Sequence, residues 1–328
     1  MNKIHIFQHN DADGFSAAYL VNKFLTKDYI KKDINFYVMN YDEKEVDEAL
    51  EKINTDDAVW IVDYSLQPEK MIELLKKTKN VVWIDHHKSA IRKYDDWADL
   101  IEEATGLDYI PGIRLEGLCG AALTYLYLFR GWTDTAMREL RDTCFNETVI
   151  ITTLKQEFIE SAPRWLKLVN DWDVWDLKML PDSKQLQIST QADLSIELYT
   201  QLDNDIAEEN LCEYLCKGES YLEYRDQWAS TFRKRYGFKK ELDFGDGRAY
   251  SVYLMNLGNG NSDFFGKELD NNEICMNYCY NGDKVTFSLY SNKPNVDCGA
   301  IATTFGGGGH PGAAGFSTDV VEAQEIIL

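Results

Sequence analysis

The segment Ala58-Val59-Trp60-Ile61-Val62-Asp63-Tyr64 is apolar almost without a break until it reaches an aspartate. A strand with one wet face alternates apolar and polar residues; a strand covered on both faces does not. The run therefore reads as an interior strand of a parallel sheet. Asn80–Ile84 (NVVWI) repeats the pattern, with Glu69–Lys77 between them in helical spacing. Upstream, Ile4–Gln8 and Ile34–Met39 are two more short apolar runs. Between those lies a helical segment from Ser16 to about Lys27, with Ala17, Ala18, Leu20, Val21, Phe24 and Leu25 on one broad face. Glu43–Ile53 is the next helix. Strand and helix alternate, which predicts an α/β fold: a parallel sheet with helices on both faces.

Farther along, residues 117–180 read as predominantly helical, Gly117–Phe129 most clearly. Asp203–Arg235 is charged and helical, with no strand pattern, and suits a spacer. From Phe244 the texture changes. Arg248–Asn256, Glu273–Tyr280 and Lys284–Ser291 alternate as strands do, the last two joined by the hairpin signal Asn281-Gly282. A short helix near Asp297–Thr304, a glycine run at 306–309 and a final helix complete a smaller α/β domain. The expected divisions are 1–200, 201–240 (a helical linker) and 241–328.

A chain of 328 residues suits about two domains, and 45% hydrophobic residues supply ample cores. No apolar run approaches the ~18–20 residues that span a bilayer. Met1-Asn2-Lys3-Ile4-His5 runs straight into a strand and lacks the zones of a signal peptide, so a cytoplasmic protein without a membrane partner is expected. The net charge of −21 would repel a long polyanion over most of the surface, which argues against long nucleic acid and for small substrates. A phosphate substrate would then need bound cations for much of its attraction. The pairs Cys212/Cys216 and Cys275/Cys279 read as reduced thiols facing their own cores rather than a zinc site.

Ligands of open parallel sheets bind at the carboxyl ends of the strands. His9, Asp11 and Asp13 follow the first strand, Asp63 ends the third, and Asp85, His86 and His87 follow the fourth. Taken singly, each group has an ordinary explanation: a polar turn, a helix cap, a solvated loop. A calcium loop starting at His9 fails, because its twelfth position is Leu20, where a bidentate Glu is required. Three such groups at successive strand ends point instead to a shared divalent cation site. Asp and His donors suit Mn²⁺ or Mg²⁺, and carboxylates clustered without a cation would repel one another.

At these residues the chain resembles the DHH phosphoesterases. The likeness covers His9-x-Asp11-x-Asp13-Gly14, Asp63 at the end of Ile61-Val62-Asp63, and the triplet Asp85-His86-His87. It extends to Phe305-Gly306-Gly307-Gly308-Gly309-His310 and Ala313-Ala314-Gly315-Phe316, which are similar to the glycine-rich motif of DHHA1 domains. Asn170-Asp171-Trp172-Asp173-Val174-Trp175 looks closest to oligoribonuclease (nanoRNase) B-like and exopolyphosphatase-related members.

The resemblance implies two Mn²⁺ ions, with Mg²⁺ as the other candidate, held by His9, Asp11, Asp13, Asp63, His86 and one later aspartate. Asp171 and Asp173 both qualify for the last place, and Asp13 or Asp63 for a bridging role. Asp85 would be a ligand or orient a histidine, and His87 would contact substrate or protonate the leaving oxygen. Gly307, Gly308, Gly309 and His310 would clamp substrate between the domains. Tyr290 stands where many DHHA1 domains carry Arg before the serine, here Ser291, which leaves two alternatives: Lys293 substitutes for that charge, or Tyr290 stacks on a base. The implied function is hydrolysis of short oligonucleotides to mononucleotides, extending to 3′-phosphoadenosine 5′-phosphate. Alternatives are a cyclic-dinucleotide or polyphosphate hydrolase and, in another class, a non-catalytic scaffold. A homodimer is compatible with all of these.

Overall fold

In a computed structural model of the chain, residues 3–27, 33–40, 43–143, 146–258 and 260–327 are described. The chain divides into two compact units, Met1–Tyr221 and Leu222–Leu328. The first begins β1 (Ile4–His9), α1 (Ala12–Thr26), β2 (Ile34–Met39), α2 (Glu43–Leu50), β3 (Ala58–Val62), α3 (Pro68–Lys77), β4 (Val81–Ile84) and α4 (Lys88–Thr105). The four strands pair in parallel in the order β2-β1-β3-β4.

Successive residues of a strand point to opposite faces, and here both faces are covered. Ile6, Val62 and Ile84 join one core with α1, while Phe7, Val59, Ile61, Val81 and Trp83 join another with α2, α3 and α4. This is why β3 and β4 carry unbroken apolar runs. The first core continues into α5 (Gly120–Phe129), α6 (Asp134–Thr143), α7 (Glu147–Ser161), α8 (Arg164–Asp173), α9 (Asp182–Thr190) and α10 (Ile196–Leu202). Among the described residues no helix is long and apolar enough to cross a membrane.

Helix α11 (Ala207–Tyr236) carries the boundary between the units. The second unit holds β5 (Gly237–Asp243), β6 (Ala249–Asn256), α12 (Glu268–Asn271), β7 (Ile274–Tyr280), β8 (Val285–Tyr290), α13 (Cys298–Thr304), β9 (Gly308–His310), β10 (Ala313–Thr318) and α14 (Val320–Ile327). Its sheet runs β5-β6-β7-β8-β10-β9, antiparallel except at β6–β7. The Asn281-Gly282 turn joins β7 to β8, with Gly282 at φ 102°.

Several expectations need correction. Helix α1 starts at Ala12, not Ser16, because Asp11 caps it by accepting the Gly14 N–H at 2.9 Å. Residues 237–240, assigned to the helical linker, instead open β5 (Gly237–Asp243), whose pattern of alternate faces is too weak to read locally. Cys212 and Cys216 do not face a core: both are exposed on α11. Cys275 is buried as expected.

Candidate metal centre

Strand order reverses between β1 and β3, and the crevice beyond such a switch point is where an open α/β sheet binds its ligand. His9 closes β1 and Asp11 and Asp13 follow it, Asp63 follows β3, and Asp85-His86-His87 follow β4. Three groups of side chains have ligand atoms within 4.8 Å of one another: Asp63 with Asp85, His86 and His87; His9 with Asp11 and Asp63; Asp13 with His86 and Asp173. Asp63 belongs to two of these groups and His86 to two.

Backbone geometry builds the cluster. Helix α5 starts against it, and its first amides, Gly120 N–H and Ala121 N–H, donate to the two carboxylate oxygens of Asp13 at 2.6 and 2.7 Å. That helix terminus brings partial positive charge to an otherwise anionic recess. Only glycine fits at 120, since a Cβ there would stand 2.6 Å from the Asp63 Cβ. A Cβ on Gly14 would likewise meet the His9 carbonyl oxygen at 2.3 Å, so glycine lets α1 turn directly off β1. Asp63 itself has φ 52°, in the left-handed region that few non-glycine residues adopt.

Protonation follows from the crowding. Burial, and then the charges of Asp13, Asp11 and Asp173, push the Asp63 carboxyl well above the usual carboxylate range. Burial and the same neighbours Asp13 and Asp11 push Asp173 up to about 8. The paired groups move the other way. His9 Nδ1 lies 2.5 Å from Asp11 Oδ2, and that bond raises His9. Against the cost of burial, His9 and the Gly14 amide hold Asp11 low. Asp85, fully buried, accepts from Ser65 Oγ, from His86 N–H at 2.7 Å and from His87 Nδ1 at 2.8 Å. It lifts His87 to about 9.

These residues fit a pair of hard divalent cations. One buried oxygen, Asp63 Oδ1, has no hydrogen-bond partner, although His86 Nε2 lies 3.2 Å away. An unsatisfied buried carboxylate oxygen amid three other carboxylates is costly unless a cation meets it. The second unsettled aspartate also finds its place. Asp171 spends its two oxygens on Lys178 N–H (2.7 Å) and Met179 N–H (3.1 Å), whereas Asp173 lies 3.5 Å from His86. Asp171 is therefore outside the cluster and Asp173 within it. Both lie in the last turn of α8.

The family comparison agrees with this geometry. Residues 3–151 match the model described as DHH family, N-terminal domain. The matched residues lie within the first unit and include every residue of the cluster except Asp173. A curated relative, the uncharacterized protein R106 of Acanthamoeba polyphaga mimivirus, is 23% identical over 93% of this chain. The chain spans 65% of that relative's length. Among solved structures, exonuclease RecJ bound to manganese superposes with a TM-score of 0.52 at 15% identity, covering 98% of this chain and 87% of that one. The DHH domain of a member of the s1p family of ribosomal proteins gives 0.53 at 13%, covering 99% and 85%. At these identities the likeness shows a shared fold. Residues 3–151 are thus similar to the N-terminal domain of the DHH family, and the architecture is mixed α/β, as in these fold relatives.

The other expected binding residues lie in the second unit and are largely engaged there. Ser291 Oγ donates to the Glu273 carbonyl at 2.7 Å and accepts the Lys293 N–H at 3.1 Å. Lys293 Nζ donates to the Asp270 carbonyl at 2.7 Å, so it does not stand free as a replacement for Arg. Tyr290 packs on Phe265 and donates to the Gly260 carbonyl at 2.9 Å. Gly306 and Gly307 use their amides to close α13, and Gly308, Gly309 and His310 form β9, an exposed edge strand. Sequence reasoning missed the α5 amides, Ser65 and the exposed Trp175. Small residues at the start of an apolar helix were the one available sign of the first.

Proposed function

We propose that this chain is a two-metal phosphodiesterase that cleaves short oligonucleotides to mononucleotides. The observation that carries the reading is Asp63: the residue belongs to both the His9–Asp11 group and the Asp85–His86–His87 group, and one of its buried oxygens has no hydrogen-bond partner. Of the two bridging candidates it would serve better than Asp13, whose oxygens each already accept an amide. His9, Asp11 and Asp63 would hold one ion, with Asp13, Asp63, His86 and Asp173 around the other. Two divalent cations there would supply Lewis acidity, activating a water and drawing charge from the phosphoryl oxygens. RecJ, a fold relative, is bound to manganese. That favours Mn²⁺, with Mg²⁺ served by the same donors.

The chain's own residues do the rest. Asp85 holds the His87 ring through Nδ1 and keeps it charged, which leaves Nε2 to give a proton to the leaving oxygen. The α5 amides fix Asp13, and the net charge of −21 disfavours long polyanions. The test is a Mn²⁺-dependent time course on a 5′-labelled RNA ladder, from the dinucleotide to chains much longer than the pentamer. Fastest cleavage from dinucleotide to pentamer supports the reading. No cleavage at any length overturns it and moves cyclic dinucleotides, polyphosphate and a scaffold role forward.

A further inference from the structure

Next to the carboxylates the first unit has an open recess of about 180 Å³. Asp11, Asp13 and Asp173 border it together with Trp172, Trp175 and Gln187. It is smaller than the ~300–1,000 Å³ of drug-sized ligand sites, so it suits one ring system rather than a chain of residues. A tryptophan-rich corner is ordinarily core, but this one is not: Trp175 is 65% exposed. Its ring centroid lies 5.0 Å from that of Trp172 at an interplanar angle of 61°, an edge contact that holds the indole while leaving its face open.

The segment is also held in an unfavourable backbone. Trp175 and Leu177 have φ 58° and 51°, each costing on the order of 1–3 kcal/mol unless the surroundings enforce it. Asp171 enforces it. Its backbone carbonyl accepts Leu177 N–H at 3.2 Å, and its carboxylate accepts the amides of Lys178 and Met179. A large apolar side chain is thus kept in water, on strained backbone, at the edge of a cation site.

We propose that Trp175, braced by Trp172, stacks on the nucleobase next to the phosphate being cleaved, so that the site selects nucleotide phosphoesters over base-free polyphosphates. The inference rests on the proposed phosphodiesterase reading for the position of that phosphate. Every base offers a π-face, so stacking tolerates any sequence. The Gln187 amide, a donor and an acceptor on the same recess, can meet a base edge.

The probes are AMP and ribose 5-phosphate, titrated calorimetrically with Mn²⁺ into the full chain. Base–aromatic stacking predicts AMP binding tighter by about 10-fold or more. Trp175→Ala should erase that preference and leave ribose 5-phosphate unchanged, while Trp175→Phe should keep most of it. A preference that survives Trp175→Ala, or its absence in the wild type, overturns the stacking role. Hydrolysis is scored separately, on a dinucleotide and its abasic form. An AMP preference lost in Trp175→Ala, in a protein that cleaves no dinucleotide, upholds stacking and sinks the diesterase reading. Equal cleavage of both dinucleotides sinks stacking alone.

Discussion

His87 Nδ1 lies 2.8 Å from Asp85 Oδ1, and this contact keeps the imidazole charged up to about pH 9. Asp85→Asn should return His87 towards its ordinary value near 6.5. The turnover number should drop about 10–100-fold, as for other residues that orient a catalytic ring. The alkaline limb of the pH–rate profile should move down with it, measured on a dinucleotide at saturating Mn²⁺. A limb that stays near its wild-type position would remove His87 as the acid.

Asp171 and Asp173 should separate cleanly. Asp171→Ala leaves two amides without acceptors, which typically costs about 1–3 kcal/mol. Chemical denaturation should show that loss while Mn²⁺ affinity holds. Asp173→Asn should do the reverse, with metal affinity and turnover falling and the fold intact. The opposite pattern would move the cluster boundary to Asp171.

The metal-free protein should carry a pH-dependent penalty at Asp173. The unfolded chain ionises this group near pH 4, the folded chain only near 8. Below the first value both states are protonated and nothing is lost. As pH rises between them the unfolded state gains, and the penalty is complete above the second. Asp173→Asn removes it, so the chelated variant should melt with the wild type in acid and above it in alkali. Added Mn²⁺ should raise the wild-type melting temperature more than the variant's. Parallel curves across the range would contradict the crowding described here.

Gly120→Ala puts a methyl group against Asp63. Overpacking of this kind typically costs about 1–3 kcal/mol. Because the displaced amides hold Asp13, Mn²⁺ affinity should fall along with stability. Calorimetric titration of the folded variant measures it; unchanged affinity would make the close approach incidental.

Much of the candidate metal centre is legible from sequence because parallel strands buried on both faces advertise themselves. AVWIVDY and NVVWI could hardly be anything else, and the residues just beyond such strands are the ones that converge. What the sequence hid depends on contacts distant along the chain. Nothing local separates Asp171 from Asp173; the difference is made by amides seven and eight residues downstream of Asp171. The α5 amides reach Asp13 across more than a hundred residues. Helix α1 started early because Asp11, read as a metal ligand, also caps the helix. The exposure of Trp175 has no local signature either, because so short a segment shows no period.

The left-handed backbone at Asp63 also constrains how this site can change over generations. Outside glycine, that conformation is tolerated chiefly by asparagine and aspartate. The alphabet open at position 63 is therefore close to three letters, one of them charged. A glutamate would keep the charge but incur the steric penalty and add a methylene facing Gly120. Descendants of this chain can lose this carboxylate in a single substitution to asparagine or glycine, yet have almost no route for exchanging it. Lineages that abandon catalysis should bear asparagine or glycine here, and those that retain it should keep aspartate.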